Sequence, residues 1–294
     1  MPDIDRRAAL TATGLVALGA ALPAPAVAQS PLALGAGKSG PPLKTGHLRM
    51  GAGTGPDGTI GLTNLPLIRD GQPWLPVMGE FHFTRFPARY WAEELRKMKA
   101  AGITIVASYI LWNHVELSPG EIDWTGDRDI RRFIQLCDAE GLLFFLRPGP
   151  WGHAEARFGG IPDWIVAGTH PRSNDAAYLA EVERFWRSLH HQVKGLFWKD
   201  GGPIVGMQIE NEYNLDGPGQ GRAHIAMLKT MAQKIGYDVP LYTVTGWDQT
   251  LYPKGEVVPV HGGYPDEPWS AKTTALPPKE NYLFRFDSRV SGDL

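Results

Sequence analysis

Residues 142–147 read Leu142-Leu143-Phe144-Phe145-Leu146-Arg147, consecutive large apolar side chains ending on a single cation. A strand with one face in water alternates polar and apolar residues, so an unbroken apolar run signals burial on both faces, as in a parallel sheet covered by helices. Similar runs lie on either side, at Val77–Phe83, Thr104–Ile110, Ile204–Ile209, Leu241–Thr245 and Val257–His261. Helical periods separate them. Trp91, Leu95 and Met98 recur between Pro87 and Gly102, and Ile130, Phe133, Ile134 and Cys137 precede Gly141. Tyr178, Val182, Phe185, Trp186, Leu189 and Val193 follow Ser173-Asn174-Asp175, and Ile225, Leu228, Ala232 and Ile235 precede Gly236, each set at amphipathic spacing. Repeated strand–helix units predict an α/β fold, either a doubly wound sheet or a (β/α)8 TIM barrel. The stretch from Val77 to Leu294 is shorter than the ~250 residues a barrel takes, and Pro259 weakens the last strand because proline has no N–H to donate. The expectation is an incomplete barrel with about six of the eight units.

The chain has 294 residues, 43% hydrophobic and 20% charged, which supplies a core and excludes global disorder. Lys and Arg total 29 against 31 Asp and Glu, for a net charge of −2. No basic run tracks a phosphate backbone, so nucleic acid is excluded as a partner. Cys137 is the lone cysteine, which excludes an internal disulfide and any multi-cysteine metal site. The 10 Trp, 9 Tyr and 11 Phe suit a core, and equally a cleft where sugar rings stack.

Residues 1–28 read as a twin-arginine-type signal peptide: Arg6-Arg7, an uncharged stretch from Ala8 to Val27, and Ala26-Val27-Ala28 as a cleavage site. Gly14, Gly19, Pro23 and Pro25 argue against a membrane anchor. The expected location is periplasmic or extracellular, with no membrane association after cleavage. Residues 29–60, rich in Gly, Pro, Ser and Thr, read as a linker or N-terminal extension containing at most a short strand, and 61–294 as the barrel domain. Gly35-Ala36-Gly37-Lys38-Ser39 and Gly51-Ala52-Gly53 each lack a glycine that their nucleotide-binding motifs require, Leu32 and Pro56 standing in its place.

Barrel chemistry collects on the loops after the strands' C-terminal ends. One such loop opens Arg147-Pro148-Gly149-Pro150-Trp151-Gly152-His153-Ala154-Glu155, and another reads Gln208-Ile209-Glu210-Asn211-Glu212-Tyr213. On a continuing strand Glu210 and Glu212 would share a side, with Asn211 on the other, although a strand end breaks that rule. Carboxyl groups enclosed near other acids hold protons at neutral pH and can donate one to a departing sugar oxygen, the chemistry of glycoside hydrolysis. His153 with Glu155, or His82 with Glu80, alternate like metal ligands, but neither pair has a third strong ligand, so no metal is expected. The chemistry requires no cofactor.

Taken in order, Gly79-Glu80-Phe81-His82-Phe83-Thr84-Arg85, Ser108 through Glu116, Arg147-Pro148-Gly149-Pro150 through Gly159-Gly160-Ile161-Pro162-Asp163-Trp164, and Gln208 through Tyr213 resemble the β-galactosidases of glycoside hydrolase family 35 over about Asn64 to Trp269. The resemblance implies a retaining double displacement that releases terminal β-D-galactosyl residues from a carbohydrate substrate. It implies Glu212 as the acid/base, Asn211 as the residue on the sugar's 2-hydroxyl, and Tyr109, Ala154 and Glu155 as residues holding galactose hydroxyls. His153 stands where many members have cysteine, and Phe83 where tyrosine is common. The family's nucleophile strand, ending Glu-Leu-Gly-Gly or similar, has no counterpart before Leu294. Glu256, Glu267 and Glu280 lack that setting, so the expectation is a catalytic domain truncated before its nucleophile.

Blander roles stand beside these. Glu212 suits an ion pair, Glu155 a turn or a pair with Arg147 or Arg157, and Tyr109 a place in the core. Trp112, Trp151 and Trp164 suit burial more readily than stacking, and His114 and Glu116 suit loop support. Rival functions are an endo-glucanase or mannanase barrel and a non-catalytic galactoside-binding fragment. An unclosed barrel that does not fold stably is a further possibility.

Overall fold

The structure is a computed structural model that describes residues 42–246, 250–262 and 284–286, with only the backbone at 261–262 and 284–286. The expected leader, residues 29–41 of the expected linker, Glu267 and Glu280 lie outside them.

An antiparallel meander comes first: β1 Thr54–Gly55, β2 Gly58–Leu62, β3 Leu67–Arg69 and β4 Gln72–Trp74. The repeating units follow: β5 Met78–Glu80, α1 Trp91–Ala100, β6 Ile105–Tyr109, the short α2 Trp112–Val115, the hairpin β7 Glu116–Ser118 and β8 Glu121–Ile122, and α3 Ile130–Ala139. The chain continues through β9 Leu143–Arg147, α4 Asp163–Gly168, α5 Ala176–Val193, β10 Ile204–Gln208, α6 Arg222–Ile235, β11 Leu241–Gly246, β12 Val258–Gly262 and β13 Phe284–Phe286. The main sheet runs β5-β6-β9-β10-β11-β12-β13, parallel throughout except for β13, which is antiparallel to β12. All the expected barrel strands are present, and β5 and β13 are its edges among the described residues. The architecture is an incomplete (β/α)8 barrel. Pro259 pairs across to β11 but lies outside the stretch that β13 joins, so its missing N–H removes no bond from the edge ladder.

The helices form where the periodicity places them. Asp129 and Asp175 cap α3 and α5 by accepting from the backbone N–H of Arg132 and Tyr178 at 2.9 and 2.8 Å, satisfying donors the first turn leaves free. The apolar stripe of each helix packs against the outward residues of the strands, among them Val106, Phe144, Leu146 and Val244, with Cys137 in that layer. Burial pushes the Cys137 thiol up, so it stays protonated and inert. No helix among the described residues is long and apolar enough to cross a membrane.

The inward face changes character along the strands. Toward their starts, Ile105, Ala107, Phe145, Val205 and Leu241 cluster with Trp198 and with Ile60 and Leu67 of the meander, making an apolar floor. The Trp198 indole N–H reaches the carbonyls of Gly53 and Gly58, each at 3.1 Å. β2 straddles the 60/61 division drawn from composition, because two- to five-residue strands interrupted by Gly53, Gly55, Gly58 and Gly61 leave no readable period. Toward the strand ends the inward positions become Glu80, Tyr109, Arg147, Gln208 and Thr245.

A methyl at Gly206 would lie 2.3 Å from the Phe145 ring. Gly206→Ala therefore lowers stability by about 1–3 kcal/mol, and adding Phe145→Leu recovers part of the loss, as denaturant melts of the single and double variants will show.

His224 sits fully buried in the first turn of α6, its Nδ1 2.9 Å from Asn174 Oδ1. Burial, aided by Arg172, pushes its pKa down to about 3. An unfolded chain takes up a proton below about pH 6.5 that this ring refuses until about pH 3, so the ring removes stability as pH falls through that window. The loss approaches ~1.4 kcal/mol per pH unit. His224→Gln flattens that dependence in urea unfolding measured across the window.

Candidate active site

Arg147, on the last residue of β9, is 9% exposed and organises the mouth. Its Nη1 donates to Glu80 at the end of β5, its Nη2 to the Tyr109 hydroxyl, and its Nε to Gln208 Oε1 at 2.9 Å. The guanidinium lies 3.6 Å from the centroid of the Tyr109 ring. Burial alone would raise the Glu80 carboxyl, but Arg147 and His82 outweigh it and hold the group below its ordinary value. Burial pushes the Tyr109 phenol well up; Arg147 opposes this, while Glu80, Glu212 and Glu155 add to it. Tyr109 is thus a permanent hydrogen-bond donor.

That donor is aimed at Asn211. The Asn211 Oδ1 accepts from Tyr109 Oη at 2.9 Å, Thr245 Oγ1 at 2.6 Å, Gln208 Nε2 at 3.0 Å and Arg147 Nη2 at 3.2 Å. Its Nδ2 faces His153 Nδ1 at 2.8 Å, and the same ring nitrogen lies 3.5 Å from Glu212 Oε2.

The two acids separate because the strand ends at Gln208 and the chain then turns left-handed at Glu210 (φ 58°) and Glu212 (φ 47°). Glu210 is fully buried and pairs with Arg172, whose Nε and Nη2 donate to its Oε2 at 3.0 and 2.7 Å. Burial pushes the Glu210 carboxyl up, against Arg172. Glu212 instead opens into the mouth, its side chain 37% exposed. The enclosed acid of the pair is therefore Glu210, not the one expected to deliver a proton.

His153, Ala154 and Glu155 are consecutive left-handed residues, with φ of 52°, 51° and 48°. Ala154 packs against Tyr109 and Leu111, while Glu155 is exposed. The charged partners considered for Glu155 are engaged elsewhere, Arg147 with Glu80 and Arg157 with Asp163 at 2.9 Å. Tyr109, Asn211, His153 and Glu212 thus form one cluster, with Ala154 and Glu155 on the adjoining turn. Trp112 is core, stacked on Phe185 at 4.7 Å. Glu116 accepts from the Trp112 indole at 2.6 Å, Gly120 N at 2.7 Å and Arg184 at 2.7 Å, tying its loop to α5. His114 Nδ1 meets Thr84 Oγ1 at 2.9 Å. Phe83 is buried against Trp91 and Phe133. Among the described residues no three His, Cys, Asp or Glu side chains are grouped to hold a metal.

Residues 66–276 match the glycosyl hydrolases family 35. The chain belongs to that family. It is 36% identical to a β-galactosidase of Bos taurus over 211 residues, covering 71% of this chain and 32% of that protein. A Mus musculus β-galactosidase is 42% identical over 148 residues, covering 50% and 23%, and one from Xanthomonas manihotis 36% over 193 residues, covering 65% and 32%. The matches thus span about a third or less of those relatives. Among solved structures, an exo-β-1,4-mannosidase from an Opitutaceae bacterium superposes with a TM-score of 0.51 at 18% identity, over 68% of this chain and 40% of that one, a likeness of fold.

Sequence reasoning missed Arg172, Gln208 and Thr245 in this family 35 site. Gln208 stood at the head of the polar motif without a role of its own, Thr245 closed a strand, and Arg172 lies in a connecting segment whose left-handed φ of 56° nothing in the residue type announces. Arg172→Met leaves the buried Glu210 without its counter-charge. Expected is a loss of about 3–5 kcal/mol in chemical denaturation, partly restored by Glu210→Leu in the same chain.

Proposed function

We propose that this chain carries the sugar-binding and acid/base part of a retaining β-galactosidase acting on terminal β-galactosides. The observation that carries the proposal is Asn211, locked by donors on its Oδ1, with Glu212 at the open edge of the same cluster. Glu212 donates its proton to the glycosidic oxygen as the aglycone leaves, then takes one from the water that releases the sugar. Asn211 Nδ2 bonds the 2-hydroxyl, and Tyr109, Ala154 and Glu155 line the ground where the other galactose hydroxyls bind. Such a mechanism needs a second carboxyl ~5–5.5 Å from the first. None of the described residues is assigned that part, and Glu256 is tied to Arg49 and to Lys229, the latter at 3.0 Å. Support for export comes from Arg6-Arg7 and Ala26-Val27-Ala28, and we place the protein outside the cytoplasm on that ground.

Glu212→Gln tests the assignment. In a protein that also carries the second carboxyl, kcat/KM for an alkyl β-galactoside, whose leaving group needs protonation, falls by about 10²–10⁴-fold; an aryl galactoside with an acidic leaving group loses far less. Equal losses on both overturn the acid/base role. Galactose affinity that Glu155→Ala abolishes, with no turnover by the wild-type protein that carries the second carboxyl, assigns a binding protein instead, and internal cleavage of a glucan or mannan assigns the endo-acting reading.

A further inference from the structure

Arg147 has only donors to offer, and that fixes the polarity of every neighbour in turn. Its Nε faces Gln208 at 2.9 Å, so the Gln208 amide presents its oxygen there and its nitrogen to Asn211 at 3.0 Å. Asn211 must then present its oxygen inward, where Arg147 Nη2 also donates at 3.2 Å, and its NH₂ outward to His153 Nδ1 at 2.8 Å. An amide NH₂ cannot accept, so His153 Nδ1 carries a lone pair and the ring proton sits on Nε2.

We propose that His153 is a positioning residue for Glu212, its neutral ring held by Asn211 as the Nε2–H tautomer so that the Nδ1 lone pair faces the Glu212 carboxyl. The assignment rests on the acid/base reading of Glu212 given above. With Nδ1 3.5 Å from Glu212 Oε2, a protonated Glu212 can share that acceptor with Asn211, which orients the carboxyl that donates to a leaving group. Protonating the ring reverses the arrangement: Nδ1–H gives up the Asn211 bond and pairs with a Glu212 carboxylate, which has no proton to give. The two states exclude each other because one nitrogen serves both. The charged groups facing the ring are Glu212 from the loop after β10, Arg172 from the segment before α5, and Glu155 on its own loop, with the Trp151 ring 5.4 Å away. Burial is the largest influence and lowers the His153 pKa; Glu212 opposes it, Arg172 reinforces it and Glu155 opposes it, leaving the ring neutral at neutral pH.

Nitrogen NMR of the full chain with labelled histidine reads the ring state without any turnover. Expected are the Nε2–H tautomer for His153 at neutral pH and a midpoint below the ordinary imidazole value. Glu212→Gln, a change at a partly exposed side chain, lowers that midpoint further by removing the carboxylate that favours the imidazolium. Asn211→Asp turns an acceptor toward the ring, moving the proton to Nδ1 and raising the midpoint. An Nδ1–H ring in the wild type, or a midpoint that ignores Glu212→Gln, overturns the proposal. If the NMR results are as expected but no β-galactoside is hydrolysed by the protein that also carries the second carboxyl, the functional reading fails while the coupling of ring and carboxyl stands.

Discussion

A guanidinium taken out of water loses several kcal/mol of hydration that its new surroundings must restore. At Arg147 each side of the planar fork meets an acceptor or a π face: Glu80, Gln208, the Tyr109 oxygen and ring, and the Asn211 oxygen. These partners arrive from the ends of β5, β6 and β10 and from the loop beyond β10. The parallel register places Tyr109 opposite Arg147, and Leu146 opposite Met207, so Gln208 stands level with the cation. A lysine would supply the charge without the fork, leaving Gln208 Oε1 without its donor at 2.9 Å. The orientation of the site's amides is therefore set at both ends of Gln208, by the cation on its oxygen and by the Glu210 carbonyl, 2.7 Å from its nitrogen.

Around that rigid centre the backbone is strained. Left-handed φ occurs at His153, Ala154, Glu155, Phe158, Arg172, Glu210 and Glu212, none of them glycine and all of them near the mouth. Each costs on the order of 1–3 kcal/mol and persists only where neighbours hold it. Holding contacts are visible: Glu210 N donates to Gly149 O at 2.9 Å, Gly152 N to Gly159 O at 2.7 Å, and Arg172 Nη2 to Asn211 O at 2.8 Å. Gly159 lets the loop close, since a methyl there would lie 2.3 Å from the Trp151 ring. The apolar floor beneath, with the meander packed into it, supplies stability that the mouth spends.

The strands and helices of the barrel were legible because burial on both strand faces and on one helix stripe leaves periods that survive in sequence. Four of the six observed strands are shorter than their apolar runs, as where Val77–Phe83 contracts to Met78–Glu80 and Phe83 turns into a 3-10 helix, whereas β11 extends to Gly246. The meander escaped because its strands are too short to show alternation. Within the site, residue identity at strand ends was readable, but side-chain direction was not. Alternation predicts direction only while the strand lasts, and β10 stops at Gln208, two residues before the first acid.

Glu210 and Glu212 show what that loss of period does chemically. On a continuing strand they would share one environment. With the chain in left-handed turns at both, Glu210 points into protein with Arg172 as its counter-ion, and its Oε1 is buried without a partner among the described residues. Glu212 points to the mouth, its side chain 37% exposed and its Oε2 3.5 Å from His153 Nδ1. A proton donor must reach a substrate atom, which a fully enclosed carboxyl cannot do however readily it holds its proton. In the mechanism proposed above access decides between them, and Glu210 anchors Arg172, which also grips the Asn211 carbonyl and lies 4.6 Å over the Trp151 ring beside His153.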